Sequence, residues 1–303
     1  MDDGEEFKKI DTIAELREFL IRKGKSHRIY CQYTSIEALQ GMIASSKLHL
    51  SVGRKMNDLL ECDCIDKAIW ERTYTASFTH TALESIAMWC VYSKQLSNTV
   101  RIMFRPSMIW KIADEKNLLS IYKVSKRGNV FNYSNIGKPE KVFLCDIVYY
   151  RAHSISWNGH VSAQKYPNHN FIERINEQKE MLGLLKHSAW EYEKETRICI
   201  TLPDNSKIDY PDTIAIDFNG LEGALLMSSP CLEPFRLRHI LMDLYQKYKA
   251  DEKKLKLINS IRYDDSVSHN QNISSLYNKL YLPAFCERCK NKHLGCPGNE
   301  KTR

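Results

Sequence analysis

Three charged side chains alternate along one short segment of the chain, in a pattern that can hold a reactive carboxylate. Glu193, Glu195 and Arg197 are separated by single residues and are followed by Ile198 and Ile200. Because side chains alternate between the faces of a strand, this spacing predicts two carboxylates and a guanidinium on one open face. A fixed carboxylate can stabilise the positive charge that develops on a sugar when its glycosidic bond breaks. A solvent-facing strand with cross-strand ion pairs would show the same spacing.

A second group of chemically active side chains lies near the C-terminus, where three cysteines and one histidine fall within eleven residues. Their spacing is Cys286-x2-Cys289-x3-His293-x2-Cys296. Thiolates and imidazole are the usual ligands of tetrahedral zinc, so this tail is predicted to bind a zinc ion. An iron–sulphur site that uses the three cysteines and a distant fourth, or a disordered tail with free thiols, fits the same residues.

The positive charge of the chain is confined to its C-terminal quarter. The net charge is +7, and residues 236–303 contain 14 Lys and Arg against 7 Asp and Glu, a difference of +7, which leaves residues 1–235 neutral. The spacing of apolar and basic residues over 237–256 predicts an amphipathic basic helix. Such a helix can bind nucleic-acid phosphates or simply face solvent. The candidate contacts are Lys249, Lys253 and Lys256.

The segments that would position these residues do not alternate regularly between helix and strand. Strands are predicted at residues 28–32, 47–52, 75–79, 100–104, 142–150, 196–202 and 213–218. Helices are predicted at residues 13–24, 36–43, 64–73, 82–93, 173–186 and 237–256. Asp11 or Thr12 can cap the first helix, which has an apolar stripe from Ile13 to Leu20 and ends at Gly24, and Thr34 or Ser35 can cap the second. We therefore expect an α+β fold with mixed central β-structure, flanking helices and a helical C-terminal part. The expected parts are an N-terminal helix, a main domain, a basic helical part and the Cys/His tail, at residues 1–27, 28–235, 236–280 and 281–303.

The composition is that of an ordinary globular protein. Of 303 residues, 43% are hydrophobic and 27% are charged, so the chain can bury a sizeable core. No apolar run approaches the roughly 20 residues that span a bilayer, and the acidic N-terminus is unlike a secretory signal. Ten cysteines, several of them in apolar segments, fit a reducing compartment. We expect a cytoplasmic protein without membrane contact.

Several common enzyme classes lack their motifs in this chain. The sequence contains no Gly-x-Gly-x-x-Gly, no phosphate-binding loop and no Gly-x-Ser-x-Gly. These absences argue against Rossmann enzymes, nucleotide kinases and α/β-hydrolases.

Four segments, in their order and spacing, resemble a bacterial family. They are an aromatic strand with a following helix, a polar loop, a Met-Trp-x-x-Tyr segment and a Trp-x-Tyr-Glu-x-Glu-x-Arg strand, at residues 30–51, 56–61, 77–92 and 186–197. By this set the chain is identified as a member of the family known as domain of unknown function 2971, over about residues 28–265. It departs from the family pattern at Leu59, where the family usually has proline.

The layout is also similar to that of ADP-ribosyltransferases, whose NAD pocket is formed by three strand-borne elements. These are an aromatic or basic residue before a short helix, a Ser/Thr-rich strand and a late glutamate. In this chain those places are filled by Tyr33 with Thr34 and Ser35, by Ser77 to Thr79, and by Glu193 with Glu195. The resemblance implies an ADP-ribosyltransferase-like fold and NAD as the substrate, for ADP-ribosyl transfer or NAD hydrolysis, in a bacterial stress or phage-defence role.

The same resemblance assigns roles to individual side chains. Glu195 is the first choice for the charge-stabilising carboxylate and Glu193 the second, with Tyr33 and Trp89 as stacking surfaces for the nicotinamide ring. Arg197 would hold a glutamate in place or bind the pyrophosphate. The polar loop adds Asn57 and Asp58 as candidate binding residues. Core packing by Trp89 and turn formation by the Asn-Asp pair are the structural alternatives.

The Cys/His tail gives the first testable prediction. We expect the tail to hold about one zinc ion per chain in protein purified without added metal, because it offers four ligands of the type that tetrahedral zinc prefers. Changing Cys286 and Cys289 to Ser should release that ion. Elemental analysis measures this directly: a brown protein that contains iron and sulphide would instead favour the cluster, and a metal content unchanged by both substitutions would contradict the assignment.

Overall fold

A computed structural model describes the chain at residues 10, 12–56, 67–92, 96–113, 120–125, 128–133, 138–150, 152–155, 161–163, 183–205, 209–218, 221, 224–230, 232, 239–240, 243 and 256–258. The helices α1 to α5 are Ile13–Ser26, Ile36–Ser45, Lys67–Trp70, Ile86–Val91 and Pro106–Ile112. The strands β1 to β15 are Tyr30–Ser35, Lys47–Val52, Thr73–Thr79, Thr99–Phe104, Ile121–Val124, Val130–Asn132, Lys141–Asp146, Val148–Tyr150, Ala152–Ile155, Val161–Ala163, Leu185–His187, Glu195–Thr201, Thr213–Asp217, Leu225–Ser228 and Lys256–Ile258.

The chain divides into two compact units, each built from three stretches of sequence. The first unit comprises Met1–Tyr30, Ser45–Thr81 and Arg105–Gly220, and the second comprises Cys31–Ala44, Ala82–Phe104 and Leu221–Arg303. Helices and antiparallel strands are both present, which confirms the predicted α+β class. No helix among the described residues is long and apolar enough to cross a membrane.

A seven-stranded antiparallel sheet forms the frame of the first unit. Its strand order is β7-β12-β3-β2-β13-β5-β6. All seven residues of β12 are buried, because this strand lies between β3 and β7 and both of its faces are covered. Two short pairs accompany the sheet: β8 with β11 in parallel and β9 with β10 in antiparallel orientation.

Helix α1 packs against β7 through an apolar stripe that the sequence predicts correctly. The helix starts with a capping box, in which Thr12 Oγ1 accepts from the Glu15 amide and the Glu15 carboxylate accepts from the Thr12 amide. Leu16 is fully buried in the apolar cluster that includes residues of β7. Gly24 was predicted to end the helix, but α1 continues to Ser26. A methyl group at Gly24 would lie 2.7 Å from the Cys145 Cα, so glycine is needed there for close approach rather than for termination.

The second unit contains an antiparallel pair of strands, β14 with β4, and a parallel pair, β14 with β15. Its apolar cluster contains Tyr33, Met88, Trp89 and Met227. Helix α2 begins after Ser35, whose hydroxyl accepts a hydrogen bond from the Ala38 amide at 3.2 Å, as its predicted capping role requires.

Three predicted elements differ most from the structure in type or extent. The segment 142–150 is two strands, β7 and β8, separated by Ile147, rather than one. The helix predicted for 173–186 overlaps β11, which pairs in parallel with β8 and is therefore a strand at its described end. The basic helix predicted to reach Lys256 is helical at residues 239–240 and 243, but Lys256–Ile258 is a strand that pairs with β14.

Candidate functional site

Four charged side chains of the first unit meet in its interior. We call Lys186, Glu193, Glu195 and Arg197 the buried charge cluster. Their relative exposures are 3%, 1%, 3% and 0%, respectively. The cluster contains two carboxylates, one ammonium group and one guanidinium, so its formal charge is zero. Such neutrality is expected, because an unpaired charge is expensive to bury.

Three consecutive elements position the residues of the buried charge cluster. Lys186 is the middle residue of β11, Glu193 ends a 3-10 helix at Ser188–Glu193, and Glu195 begins β12. His187 caps the 3-10 helix, since its Nδ1 accepts a hydrogen bond from the Ala189 amide at 3.1 Å. The prediction that Glu193 shares a strand with Glu195 is therefore wrong.

Lys194 makes the transition between the 3-10 helix and β12. Its backbone adopts the left-handed conformation, with φ of 44° and ψ of 58°. That conformation interrupts the alternation of side chains between strand faces that the sequence analysis assumed for residues 193–197. Glu193 and Glu195 nevertheless meet, because Lys186 Nζ lies 2.5 Å from Glu193 Oε2 and 3.1 Å from Glu195 Oε2.

Arg197 fixes the orientation of the Glu195 carboxylate. Its Nε donates to Glu195 Oε1 at 2.6 Å and its Nη2 to Oε2 at 3.0 Å, which is a bidentate pair. Arg197 Nη1 donates to the carbonyl oxygen of Gly183 at 2.6 Å. The Glu195 amide donates to the Tyr149 hydroxyl at 2.8 Å. The predicted role of Arg197 in holding a glutamate thus has a direct counterpart in the geometry.

The environment keeps Glu195 ionised. Burial alone would raise its pKa, but the charges of Arg197 and Lys186 and a hydrogen bond with Ser77 outweigh that effect and lower the pKa to about 2. Ser77 lies on β3 opposite Arg197 in the strand register. Burial raises the pKa of Tyr149, with a further contribution from Glu195, so the hydroxyl beside Glu195 stays neutral.

The arrangement differs from the open polar face that the sequence predicts. The cluster can lie under the surface because each carboxylate is neutralised by a nearby cation. These cations come from β11 and from β12 itself. The indole ring of Trp190, on the 3-10 helix, adds a cation–π contact with Lys186 Nζ, 4.8 Å from the ring centroid. The site therefore offers a restrained, permanently charged carboxylate that lacks ready access to solvent.

Comparison with known proteins locates this cluster within a family. Residues 88–198 match the family described as protein of unknown function (DUF2971). We call this matched stretch the DUF2971 segment. The match confirms the family resemblance over these residues, which include all four members of the buried charge cluster. No curated protein matches the chain, and no solved structure matches it. The likeness to ADP-ribosyltransferases therefore rests on the sequence layout alone.

Two further predicted site residues form part of the core of the second unit. The Tyr33 and Trp89 rings pack edge to face with centroids 4.6 Å apart, and Trp89 lies within the DUF2971 segment. The Tyr33 hydroxyl accepts a hydrogen bond from the Ser85 amide at 3.1 Å. Both rings are at most 5% exposed, as in the core-packing alternative. Thr34 and Ser35 are half-buried at the end of β1.

The remaining predicted site residues have little or no structural description. Lys256 begins β15. The others lie outside the described residues: Asn57, Asp58, Lys249, Lys253, Cys286, Cys289, His293 and Cys296.

Lys186 and Thr196 contribute to this region without having been predicted from the sequence. Lys186 joins the site only because β11 pairs with β8, and nothing in its local sequence indicates this. Thr196 follows Glu195 and faces the opposite side of the sheet, where it contacts His80 and Asp146. These partners come from distant parts of the chain and follow no spacing rule.

The buried charge cluster predicts a large loss of stability when one charge is removed. Glu195→Gln should lower the free energy of unfolding by about 3–5 kcal/mol, because Lys186 and Arg197 would stay buried without their shared carboxylate. The matched control is Glu191→Gln, whose side chain is 35% exposed and should change stability by about 0.5 kcal/mol or less. Urea unfolding measures both.

Acidification should remove the same stabilisation from the wild-type chain. The pKa of Glu195 is about 2 in the folded chain, against an ordinary 4.5. Its contribution is therefore complete above about pH 4.5 and is lost as the pH falls toward 2. Between about pH 5 and pH 3 the wild type should lose more stability than Glu195→Gln. Parallel pH profiles for the two proteins would contradict the assignment.

Proposed function

We propose that this chain cleaves the nicotinamide–ribose bond of NAD, either transferring ADP-ribose to an acceptor or releasing it by hydrolysis. The observation that carries the proposal is the placement of the Glu195 carboxylate against the Ser/Thr-rich strand. Glu195 pairs with Thr79 in the register of β12 and β3, and its carboxylate bonds to Ser77. Two of the three elements expected of such a pocket are thus neighbours within the first unit.

The electrostatics of Glu195 suit this chemistry. Departure of nicotinamide leaves positive charge on the ribose, and an oriented carboxylate beside that carbon stabilises it. The pKa of about 2 keeps the group charged throughout the physiological range. The bidentate contact with Arg197 limits rotation of the carboxylate, so the group keeps one orientation. The two cations attenuate the charge that Glu195 presents, but they also fix its position.

Burial of Glu195 sets a condition on the proposal. At 3% exposure the carboxylate cannot meet a ribose until a contacting side chain moves. Lys186 is the side chain to move, because it bridges Glu195 to Glu193 and lies against Trp190. The proposal therefore includes displacement of the Ser188–Glu193 helix when NAD binds. A bacterial stress or phage-defence role would then follow from consumption of NAD.

The proposal is tested by measuring the loss of NAD by chromatography, with and without DNA or RNA as acceptor. Glu195→Gln should lower the rate by at least about 10²–10³, the cost of losing one electrostatic contact in a related case. Glu193→Gln is the stability control, because it also breaks the buried charge cluster but leaves the proposed reactive group in place. Assays below the melting temperature of every variant separate lost chemistry from lost folding.

The expected pattern is a severe defect in Glu195→Gln, a mild one in Glu193→Gln and none in Glu191→Gln. The reverse order of the first two would move the role to Glu193, the second choice. Wild-type protein that consumes no NAD with any acceptor, or equal activity in all variants, would show the proposal to be wrong.

A second proposal is that the C-terminal quarter binds nucleic acid. It is favoured by the charge distribution, since the whole excess of +7 lies in residues 236–303. Reversing Lys249, Lys253 and Lys256 to Glu should weaken binding, and wild-type affinity should fall steeply with salt, because phosphate contacts release counterions. Fluorescence anisotropy with labelled DNA and RNA measures both. Absence of binding at low salt would show this proposal to be wrong. An affinity that the three substitutions leave unchanged would show that these lysines are not the binding residues.

A further inference from the structure

Four side chains outside the buried charge cluster meet at one edge of the sheet of the first unit. We call His27, His80, Asp146 and Thr196 the imidazole cluster. His27 caps the C-terminus of α1, His80 follows β3, Asp146 ends β7 and Thr196 is the second residue of β12. Because β3, β12 and β7 are adjacent and antiparallel, the end of β7, the start of β12 and the end of β3 coincide.

The polar atoms of the imidazole cluster are close together and partly accessible. His27 Nε2 lies 2.8 Å from both Asp146 carboxylate oxygens, and His80 Nδ1 lies 3.9 Å from Asp146 Oδ1. The side chains of His27, Asp146 and His80 are 15%, 13% and 23% exposed. The two imidazole rings stack with centroids 3.8 Å apart and planes 3° from parallel.

We propose that His27, His80 and Asp146 bind a divalent transition-metal ion of the zinc type. Two imidazoles and a carboxylate are ligands that zinc accepts, at about 2.0–2.2 Å. Ligand atoms at tetrahedral positions around such an ion are about 3.4 Å apart. The separations of 2.8 and 3.9 Å bracket that value, and one ligand atom from each of the three residues lies within 4.8 Å of the others.

Thr196 supports the proposed ligands. Its hydroxyl lies 2.6 Å from Asp146 Oδ1 and 3.0 Å from His80 Nδ1. The hydroxyl has one proton and donates it to the carboxylate at the shorter distance. With the two rings stacked, its oxygen therefore accepts from the His80 Nδ1–H, a bond that breaks when the His80 ring turns toward an ion. A ligating carboxylate that accepts such a bond is held in a fixed orientation, as outer-sphere partners of metal ligands commonly do.

Ion binding requires one imidazole ring to turn. Lone pairs of imidazole lie in the ring plane, so two parallel stacked rings cannot both direct a lone pair at one ion. His80 is the ring to turn, because it is the more exposed and its contact is with one hydroxyl, that of Thr196, whereas His27 contacts both oxygens of a carboxylate. The stacked arrangement is thus the closed form of the site. Three protein ligands leave a fourth position for water, as in catalytic rather than structural zinc sites.

Gly24 sets the position of His27. Its Cα approaches the Cys145 backbone so closely that an added methyl group would lie 2.7 Å from the Cys145 Cα and 2.9 Å from its nitrogen. Three residues later, the same helix places His27 beside Asp146, the neighbour of Cys145. Gly24→Ala should push α1 away from β7 and separate two of the three ligands.

Cobalt and zinc titration of the full chain tests the site. All titrations use a chain that carries Cys286→Ser and Cys289→Ser, which removes the predicted tail site. Cobalt bound without thiolate ligands then shows d–d absorption but no sulphur-to-cobalt charge-transfer bands. About one cobalt ion per chain should bind and be displaced by zinc. His80→Asn and Asp146→Asn should abolish this binding, and Thr196→Val, which leaves all ligands intact, should weaken it about 10–100-fold.

Matched variants separate coordination from folding. His187→Asn removes a histidine of the same unit and keeps an N-cap residue, so cobalt affinity should be unchanged. Gly24→Ala keeps every ligand and should weaken binding. Melting temperatures without metal show which variants fold. If the ligand variants do not fold, the cobalt affinity of Thr196→Val tests the proposal. No saturable cobalt signal in the tail-substituted chain, or equal affinity in folded Thr196→Val and wild type, would overturn the proposal.

Discussion

The bidentate contact between Arg197 and Glu195 is the interaction on which the rest of the first unit depends. Both side chains belong to β12, a strand with every residue buried, and transfer of either charge alone from water would cost several kcal/mol. Arg197 and Lys186 balance Glu195 and Glu193, and the Gly183 carbonyl satisfies a remaining guanidinium N–H. The strand can therefore be central and still carry charge.

This constraint explains why β11 and the Ser188–Glu193 helix lie where they do. A buried carboxylate at the start of β12 needs a second cation, and the chain supplies it from Lys186, nine residues earlier. Hydrophobic residues of the same volume could fill such a space at equal or lower cost. The presence of four charges in this interior is therefore not explained by stability alone.

Consecutive residues of β12 serve two groups of side chains on opposite faces of the sheet. Glu195 faces the buried charge cluster, whereas Thr196 faces the imidazole cluster. The register of β12 with β7, which pairs Thr196 with Asp146, places the hydroxyl against the carboxylate. A slip of one residue would exchange the two faces, so the charge pairing of Glu195 also fixes the geometry around Asp146.

The sequence correctly predicted features that depend on neighbouring residues alone, such as strand alternation and helix capping. The strand at residues 47–52 has the predicted bounds, because Leu48 and Leu50 alternate with polar neighbours. The capping roles of Thr12 and Ser35 follow from side-chain chemistry and were predicted as one of two candidates each. The α+β class was predicted from the irregular order of helices and strands.

Long-range pairing and backbone exceptions were beyond the sequence argument. The left-handed backbone of Lys194 removed Glu193 from the strand, and lysine gives no signal for that conformation. Lys186 became part of the cluster through the pairing of β11 with β8. His27 and His80 stack although they are far apart in sequence, so no motif could connect them.

The ionisation of Glu195 in the folded chain is the most direct test of this account. Carbon-13 NMR of the full chain, with labelled glutamate carboxyl groups, follows that ionisation, and a spectrum of Glu195→Gln assigns the resonance. We predict that the carbon-13 chemical shift of the Glu195 carboxylate stays constant from neutral pH to well below 4.5, because its pKa is about 2. A resonance that titrates near 4.5 while the chain remains folded would show that Lys186 and Arg197 do not hold the charge, and would contradict the account.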